Sequence, residues 1–216
     1  MQPIVHVSFD LDGVLIDSLH VMSHAWEVAC SEIGLDIPFD VGYRKHIGRP
    51  FPEILEELSV PEPMRQTLRA RYFQLTREKE ELVYLYPDVA KGVSELNEMG
   101  TALSIVTSKP LERAKSLLIS LLPDVDWVVV SPELLAPGRG KPAPDGLVLA
   151  ASLHDASLEE SLFVGDMDVD FLAAKAAGLR YLHAVWGYGE AIEGAREASH
   201  FRSIIDLVRA SNPNGQ

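Results

Sequence analysis

The sequence predicts an α/β fold, a doubly wound (Rossmann-like) parallel sheet core with an inserted helical cap domain. Three observations carry this expectation. Five short apolar runs, at 4–9, 102–106, 127–130, 162–164 and 181–185, have the length and content of buried strands. Amphipathic segments alternate with them, as a parallel sheet covered on both faces requires. One stretch, 17–86, breaks the alternation and reads only as helices.

Taken in order, the first strand is 4–9, and the helical insertion follows it at once. Pro38, Pro50, Pro52, Pro61 and Pro63 punctuate that insertion. It ends at Tyr86-Pro87-Asp88, so the chain divides into a core of 1–16 with 87–216 and a cap of 17–86. A cap leaving the carboxyl end of a strand stands over the edge where such sheets bind ligands, and it can exclude water there. The segment 89–99, stopped by Gly100, reads as a helix leading to the strand 102–106. The helix 111–121, stopped by Pro123, leads to the strand 127–130. The helix 170–177, stopped by Gly178, joins the last two strands. Residues 211–216 read as a loose tail.

Composition narrows the function classes. The 216 residues suffice for one full core, and a formal net charge of −13, from 19 Lys plus Arg against 32 Asp plus Glu, argues against a nucleic-acid partner. A small anionic ligand would need a bound cation or a lysine to reverse the field locally. The single cysteine, Cys30, permits no intrachain disulfide. The start of the chain lacks the pattern of a signal peptide, and no apolar run is long enough to span a bilayer, so the expectation is a cytoplasmic protein without a membrane role. Monomer and dimer both stay open.

Polar residues directly after strands carry the chemistry. Asp10-Leu11-Asp12-Gly13 ends the first strand with two carboxylates that would repel each other, a pattern for a metal site, a nucleophile with its acid/base partner, or both. An Asp-rich turn is the plain alternative. Thr107 and Ser108 follow the second strand and offer hydroxyls to a phosphate, although they equally resemble a helix N-cap. Lys141 lies in a Gly- and Pro-rich loop that aims it at the same edge, with Lys109 and Arg139 as weaker competitors. Asp166, Asp168 and Asp170 crowd the end of the fourth strand; as oxygen ligands without His or Cys they select magnesium over zinc, or else they decorate a helix N-terminus. His20 and His24 stand four apart with no third ligand spaced for a metal, and read as surface or cap-packing residues.

Four ordered motifs make the sequence resemble the haloacid dehalogenase (HAD) superfamily, in its capped phosphatase branch with phosphoglycolate phosphatases and β-phosphoglucomutases. They are Asp10-Leu11-Asp12-Gly13-Val14-Leu15-Ile16-Asp17-Ser18, Ile105-Val106-Thr107-Ser108-Lys109-Pro110, Gly140-Lys141-Pro142, and Gly165-Asp166 through Asp170. The resemblance implies a magnesium-dependent hydrolase of small phosphorylated metabolites working through an aspartyl-phosphate. It implies Asp10 as the nucleophile and Asp12 as the acid/base. Asp10, the Asp12 carbonyl and Asp166 would bind Mg2+, with Asp170 in support. Thr107 and Ser108 would hold the phosphoryl group, and Lys141 would screen charge. Ser108 and Met167 depart from the residues most frequent at their positions, Asn and Ser, which affects fine positioning. The loop His46-Ile47-Gly48-Arg49-Pro50 resembles a cap loop that reaches the site, with Arg49 facing a second anionic group of the substrate; an exposed helix-start arginine is the alternative. A phosphomutase would share every core residue, and a non-catalytic phosphate- or partner-binding module would be expected to have lost one.

Overall fold

The computed structural model describes residues 2–212. Its centre is a six-stranded sheet with order β5-β4-β1-β6-β7-β8, every pairing parallel. Along the chain, β1 (His6–Phe9) leads to β2 (Ile16–Asp17), α1 (Leu19–Glu32), α2 (Phe51–Glu57), α3 (Glu62–Glu78) and β3 (Tyr84–Leu85). Then follow α4 (Val89–Glu98), β4 (Ala102–Val106), α5 (Leu111–Leu121), β5 (Val128–Val130) and α6 (Asp145–Leu153). The chain closes with β6 (Ser161–Gly165), α7 (Asp168–Ala177), β7 (Arg180–Ala184), β8 (Glu197–Ala198) and α8 (Arg202–Ser211). The chain builds outward from β1 to β4 and β5, then returns to the other flank of β1 for β6 to β8. The strand order therefore reverses beside β1, and the crevice of a doubly wound sheet opens at that point.

Alternation along each strand sorts the side chains. Val7, Phe9, Ile105, Leu162 and Val164 join one buried cluster with Val93 and Leu96 of α4, Leu117 of α5 and Ile204 and Val208 of α8. The opposite face holds Val106, Val130 and Phe163, against Leu147 of α6 and Ala173 of α7. A third cluster, built on Trp26, Phe39, Tyr43, Phe51, Leu68 and Tyr72, belongs mainly to the helices between β2 and β3. No described helix is long and apolar enough to cross a membrane.

The expectation that 17–86 contains only helices needs correction. Asp17 closes β2, and Ile16 and Asp17 pair antiparallel with Leu85 and Tyr84, so a two-stranded ribbon joins the start and end of the segment. Strands of two residues are too short to express an alternating pattern. The structure also adds α6, nearly continuous in apolar residues and so without a polar stripe, together with β8 and α8. Ser211 is not part of a loose tail: it is buried in the last turn of α8, where its Oγ accepts from Ile4 N at 3.0 Å. Asn212 Nδ2 donates to Ile4 O at 2.9 Å; residues 213–216, the rest of the expected tail, lie outside the described residues.

The α6/α7 face of the sheet hides a polar cluster. His6 of β1 meets Ser161 of β6 through Nδ1 at 3.0 Å and Ser104 of β4 through Nε2 at 2.8 Å. Ser161 Oγ already donates to Ser157 O, so it accepts from His6 Nδ1, which assigns the proton to Nδ1 and leaves Nε2 as the acceptor of the Ser104 hydroxyl. A neutral ring thus ties together the three central strands. Burial, with the nearby His154 ring adding, pushes His6 down to about 4 from an ordinary value of 6.5. A depressed histidine contributes stability that is complete above pH 6.5 and is lost as pH falls toward 4, because the unfolded chain takes up the proton first. We expect about 3 kcal/mol of unfolding free energy to disappear over that window. Urea unfolding of the wild type and His6→Gln across pH 7 to 4.5 measures it; equal pH slopes in the two proteins would remove His6 as the source.

Candidate active site

The sheet ladder extends one residue past the strands, and this fixes the first polar side chains. Asp10 N donates to Val164 O at 2.9 Å and Thr107 N to Val130 O at 3.0 Å. The chain then turns tightly, with Leu15 N and Ile16 N both bonded to Leu11 O, and Gly13 adopts φ of +87°. A side chain there is doubly excluded, since a Cβ on Gly13 would lie 2.1 Å from Asp166 Oδ2. Asp10 and Asp166 are thereby brought together from neighbouring strands.

Asp10, Asp166 and Asp170 are all buried and present oxygens within 4.8 Å of one another. Lys141 Nζ stands 3.0 Å from Asp10 Oδ1 and 2.7 Å from Asp170 Oδ1. The other oxygen of Asp170 accepts from the backbone N–H groups of Asp166 and Met167, at 3.2 and 3.0 Å. Asp166 Oδ2 accepts from Tyr188 N at 2.7 Å, whereas its Oδ1 is buried with no hydrogen-bond partner. Asp10 meets Leu11 N, at 2.8 Å, and Lys141 through Oδ1, so Oδ2 is the oxygen left for other partners.

Burial pushes Asp10 up to about 7, and Asp170 and Asp12 add to the rise, which the Lys141 ammonium only partly opposes. Asp166 is driven well above the carboxylate range by burial, then by Asp170 and Asp10. Burial works against the Lys141 ammonium too, yet Asp10 and Asp170 outweigh it and hold the lysine charged. One ammonium cannot balance three buried carboxylates. A hard divalent cation fits the oxygen-only donor set and the orphaned Asp166 oxygen.

Asp12 sits across from this cluster, its Oδ1 accepting from Ser18 Oγ and standing 3.0 Å from Lys109 Nζ. Lys109 therefore belongs to the site, while Arg139 is exposed and paired with Asp145. Thr107 Oγ1 accepts from Lys109 N at 3.1 Å. Ser108 Oγ donates to Gly48 O, spending its hydroxyl on the loop that carries Arg49. Arg49 reaches the wall of the pocket but is bound to Glu57 at 2.7 Å. His20 stacks on Tyr84.

Several residues at the site have no role in the sequence reading. Tyr188 receives Ser18 N on its hydroxyl at 2.8 Å while its own N–H holds Asp166, so one residue braces both acidic strand ends. The run Trp186-Gly187-Tyr188-Gly189 after β7 was the available signal, since it lies at the same sheet edge. Arg113, buried in α5, pairs with Glu80 and donates to Thr76 O at 3.0 Å.

The family profile described as "Haloacid dehalogenase-like hydrolase" matches residues 7–184. The chain belongs to the haloacid dehalogenase-like hydrolases. Among curated relatives, it is 31% identical to a phosphoglycolate phosphatase of Salmonella choleraesuis, over 97% of this chain and 93% of that one. It is 30% identical to a phosphoglycolate phosphatase of Aquifex aeolicus, over 84% and 85% of the two chains. A crystal structure titled as a haloacid dehalogenase-like hydrolase from Bacteroides fragilis superposes with a TM-score of 0.84 at 25% identity, covering 93% of this chain and 99% of that one. CbbY from Rhodobacter sphaeroides, solved in complex with phosphate, shares the fold with a TM-score of 0.79 at 22% identity, covering 93% and 96%.

In this hydrolase the packing around Asp166 tolerates no added atom. A Cβ on Gly189 would stand 2.0 Å from Asp166 O, a backbone atom that cannot swing away. Gly189→Ala should therefore lower the unfolding free energy by about 1–3 kcal/mol. Denaturant titration would detect this, and an unchanged midpoint would mean the loop has slack.

Proposed function

We propose that the chain is a magnesium-dependent phosphatase that hydrolyses a small phosphomonoester through an aspartyl-phosphate. The observation that carries this reading is the buried Asp10 carboxylate at the sheet's reversal point, with Lys141 at 3.0 Å on Oδ1 and Oδ2 left for a substrate. In this reading 1–16 with 87–216 form the catalytic core, and 17–86 form the cap that shields it.

Asp10 Oδ2 attacks phosphorus while Asp12 donates a proton to the departing ester oxygen, which leaves as the alcohol. Asp12 then takes a proton from water, whose oxygen attacks the aspartyl-phosphate, releasing phosphate and restoring Asp10. Ser18 and Lys109 hold the Asp12 carboxyl in place for both transfers. Thr107 Oγ1 and the Lys141 ammonium receive phosphoryl oxygens, and Ser108 joins them when it gives up Gly48 O. Asp10, the Asp12 carbonyl and Asp166 would hold Mg2+. Asp170 supports from behind, because Lys141 and two backbone N–H groups already occupy both its oxygens. The cation supplies charge neutralisation to the phosphoryl group, the main requirement of phosphoryl transfer.

Phosphate release from a panel of phosphomonoesters, with Mg2+ and with excess chelator, tests the reading. We expect Mg2+-dependent release, loss of turnover by about 10³-fold or more in Asp10→Asn, and slowing of both half-reactions in Asp12→Asn. Normal turnover by Asp10→Asn, with deamidation excluded, would overturn the nucleophile. Phosphoryl exchange between sugar phosphates without net release would favour a phosphomutase.

A further inference from the structure

The pocket beside Asp10 and Asp12 is unusual in its charge. It is lined by Asp10 and Asp12 and by three cations, Arg49, Lys109 and Arg113. Each cation is already committed: Arg49 to Glu57 at 2.7 Å, Lys109 to Asp12 at 3.0 Å, and Arg113 to Glu80. A carboxylate on the substrate would have to compete with one of these pairs or enter without a counter-ion of its own, and the cost is largest at Lys109–Asp12, where both partners are shielded from solvent.

Apart from Thr76, Thr107 and Ser108, the remaining wall is mostly aromatic and aliphatic. Tyr43, Ile47, Phe51, Ile54, Tyr72 and Phe73 surround the space in front of the two aspartates. The Tyr43 and Tyr72 hydroxyls bond to each other at 3.1 Å, so the polar atoms of that wall are paired as well. The space is small, about 60 Å³, enough for a few water molecules. It adjoins a groove of about 420 Å³ and shares Phe51, Phe73, Ser108 and Pro110 with it. That volume is in the range of small-molecule sites. Pro50, Pro52, Pro132 and Pro137 add to the apolar lining of the groove, and its charged members are Glu53, Glu133 and Arg69. With two carboxylates to one guanidinium, the path leaving the site carries more negative charge than positive, and Arg69 lies over the Phe73 ring at 5.7 Å. An anionic leaving group finds a single cation along it, the exposed Arg69, against two carboxylates, whereas an apolar group meets proline and aromatic surface.

We infer that the substrate's leaving group is uncharged and carries an aryl or alkyl portion that occupies this wall and groove, so that an apolar phosphomonoester is preferred to a phosphorylated carboxylic acid. The inference rests on the phosphatase reading and specifies the alcohol that departs when water cleaves the ester.

Two esters of comparably poor leaving groups separate the possibilities: benzyl phosphate and 2-phosphoglycolate, assayed with Mg2+ by phosphate release. We expect kcat/KM for benzyl phosphate to exceed that for 2-phosphoglycolate by about tenfold or more. We also expect Phe73→Ala to reduce that ratio by about fivefold. Phe73→Leu serves the same comparison if the alanine variant fails to fold by circular dichroism. Equal or greater kcat/KM on 2-phosphoglycolate, or a ratio unmoved in a folded Phe73 variant, overturns the inference while leaving the phosphatase reading intact. Failure to release phosphate from either ester and from acetyl phosphate overturns the phosphatase reading, and this inference with it.

Discussion

Lys141 Nζ touches Asp10 and Asp170 in a space from which solvent is removed, and the arrangement around the sheet edge depends on that contact. Burying a carboxylate alone would drive it to take up a proton. Burying three together multiplies the cost, and the ammonium offsets only part of it. The cluster is therefore a structure of unbalanced charge held in place by the fold. Such an arrangement contributes little to stability and is well prepared to bind cations and dianions.

The rest of the molecule supplies the rigidity. β1, β4 and β6 bring Asp10, Thr107 and Asp166 to one edge because their parallel register is locked by the ladder and by the His6 network beneath. Gly13, Gly187 and Gly189 allow the surrounding loops to close on Asp166 at distances no side chain permits. Tyr188 then connects Asp166 to the Ser18–Asp12 pair. The loop after α1 is drawn onto the core through Gly48, where Ser108 donates to its carbonyl.

Much of this was legible in the residues. Asp10, Asp12, Thr107, Lys141, Asp166 and Asp170 sit directly after strands or in a Gly/Pro-rich loop, positions that sequence pattern marks clearly, and they gather at one edge. The ribbon of β2 and β3 was not legible, because two-residue strands carry no periodicity. The helix α6 lacked a polar stripe, so its apolar run gave no helical face to count. Tyr188 and Ser18 act through hydrogen bonds across a separation of 170 positions, which no local pattern encodes. The pairing of Arg49 with Glu57 and of Lys109 with Asp12 likewise depends on three-dimensional proximity, and it determines whether those cations are available to a ligand.

The short ribbon between Ile16–Asp17 and Tyr84–Leu85 has a consequence for how such a protein diversifies. Its strands place the departure and the return of the chain side by side, about 5 Å apart as in any paired strands. To the sheet, the whole intervening segment is equivalent to a hairpin turn, and closure entropy grows only slowly with what is threaded through it. The segment that contributes Tyr43, Phe51 and Tyr72 to the pocket wall can thus lengthen, shrink or be exchanged without disturbing the register that holds the aspartates. On the phosphatase reading, the residues that carry the reaction and those that meet the substrate can then change separately within one chain.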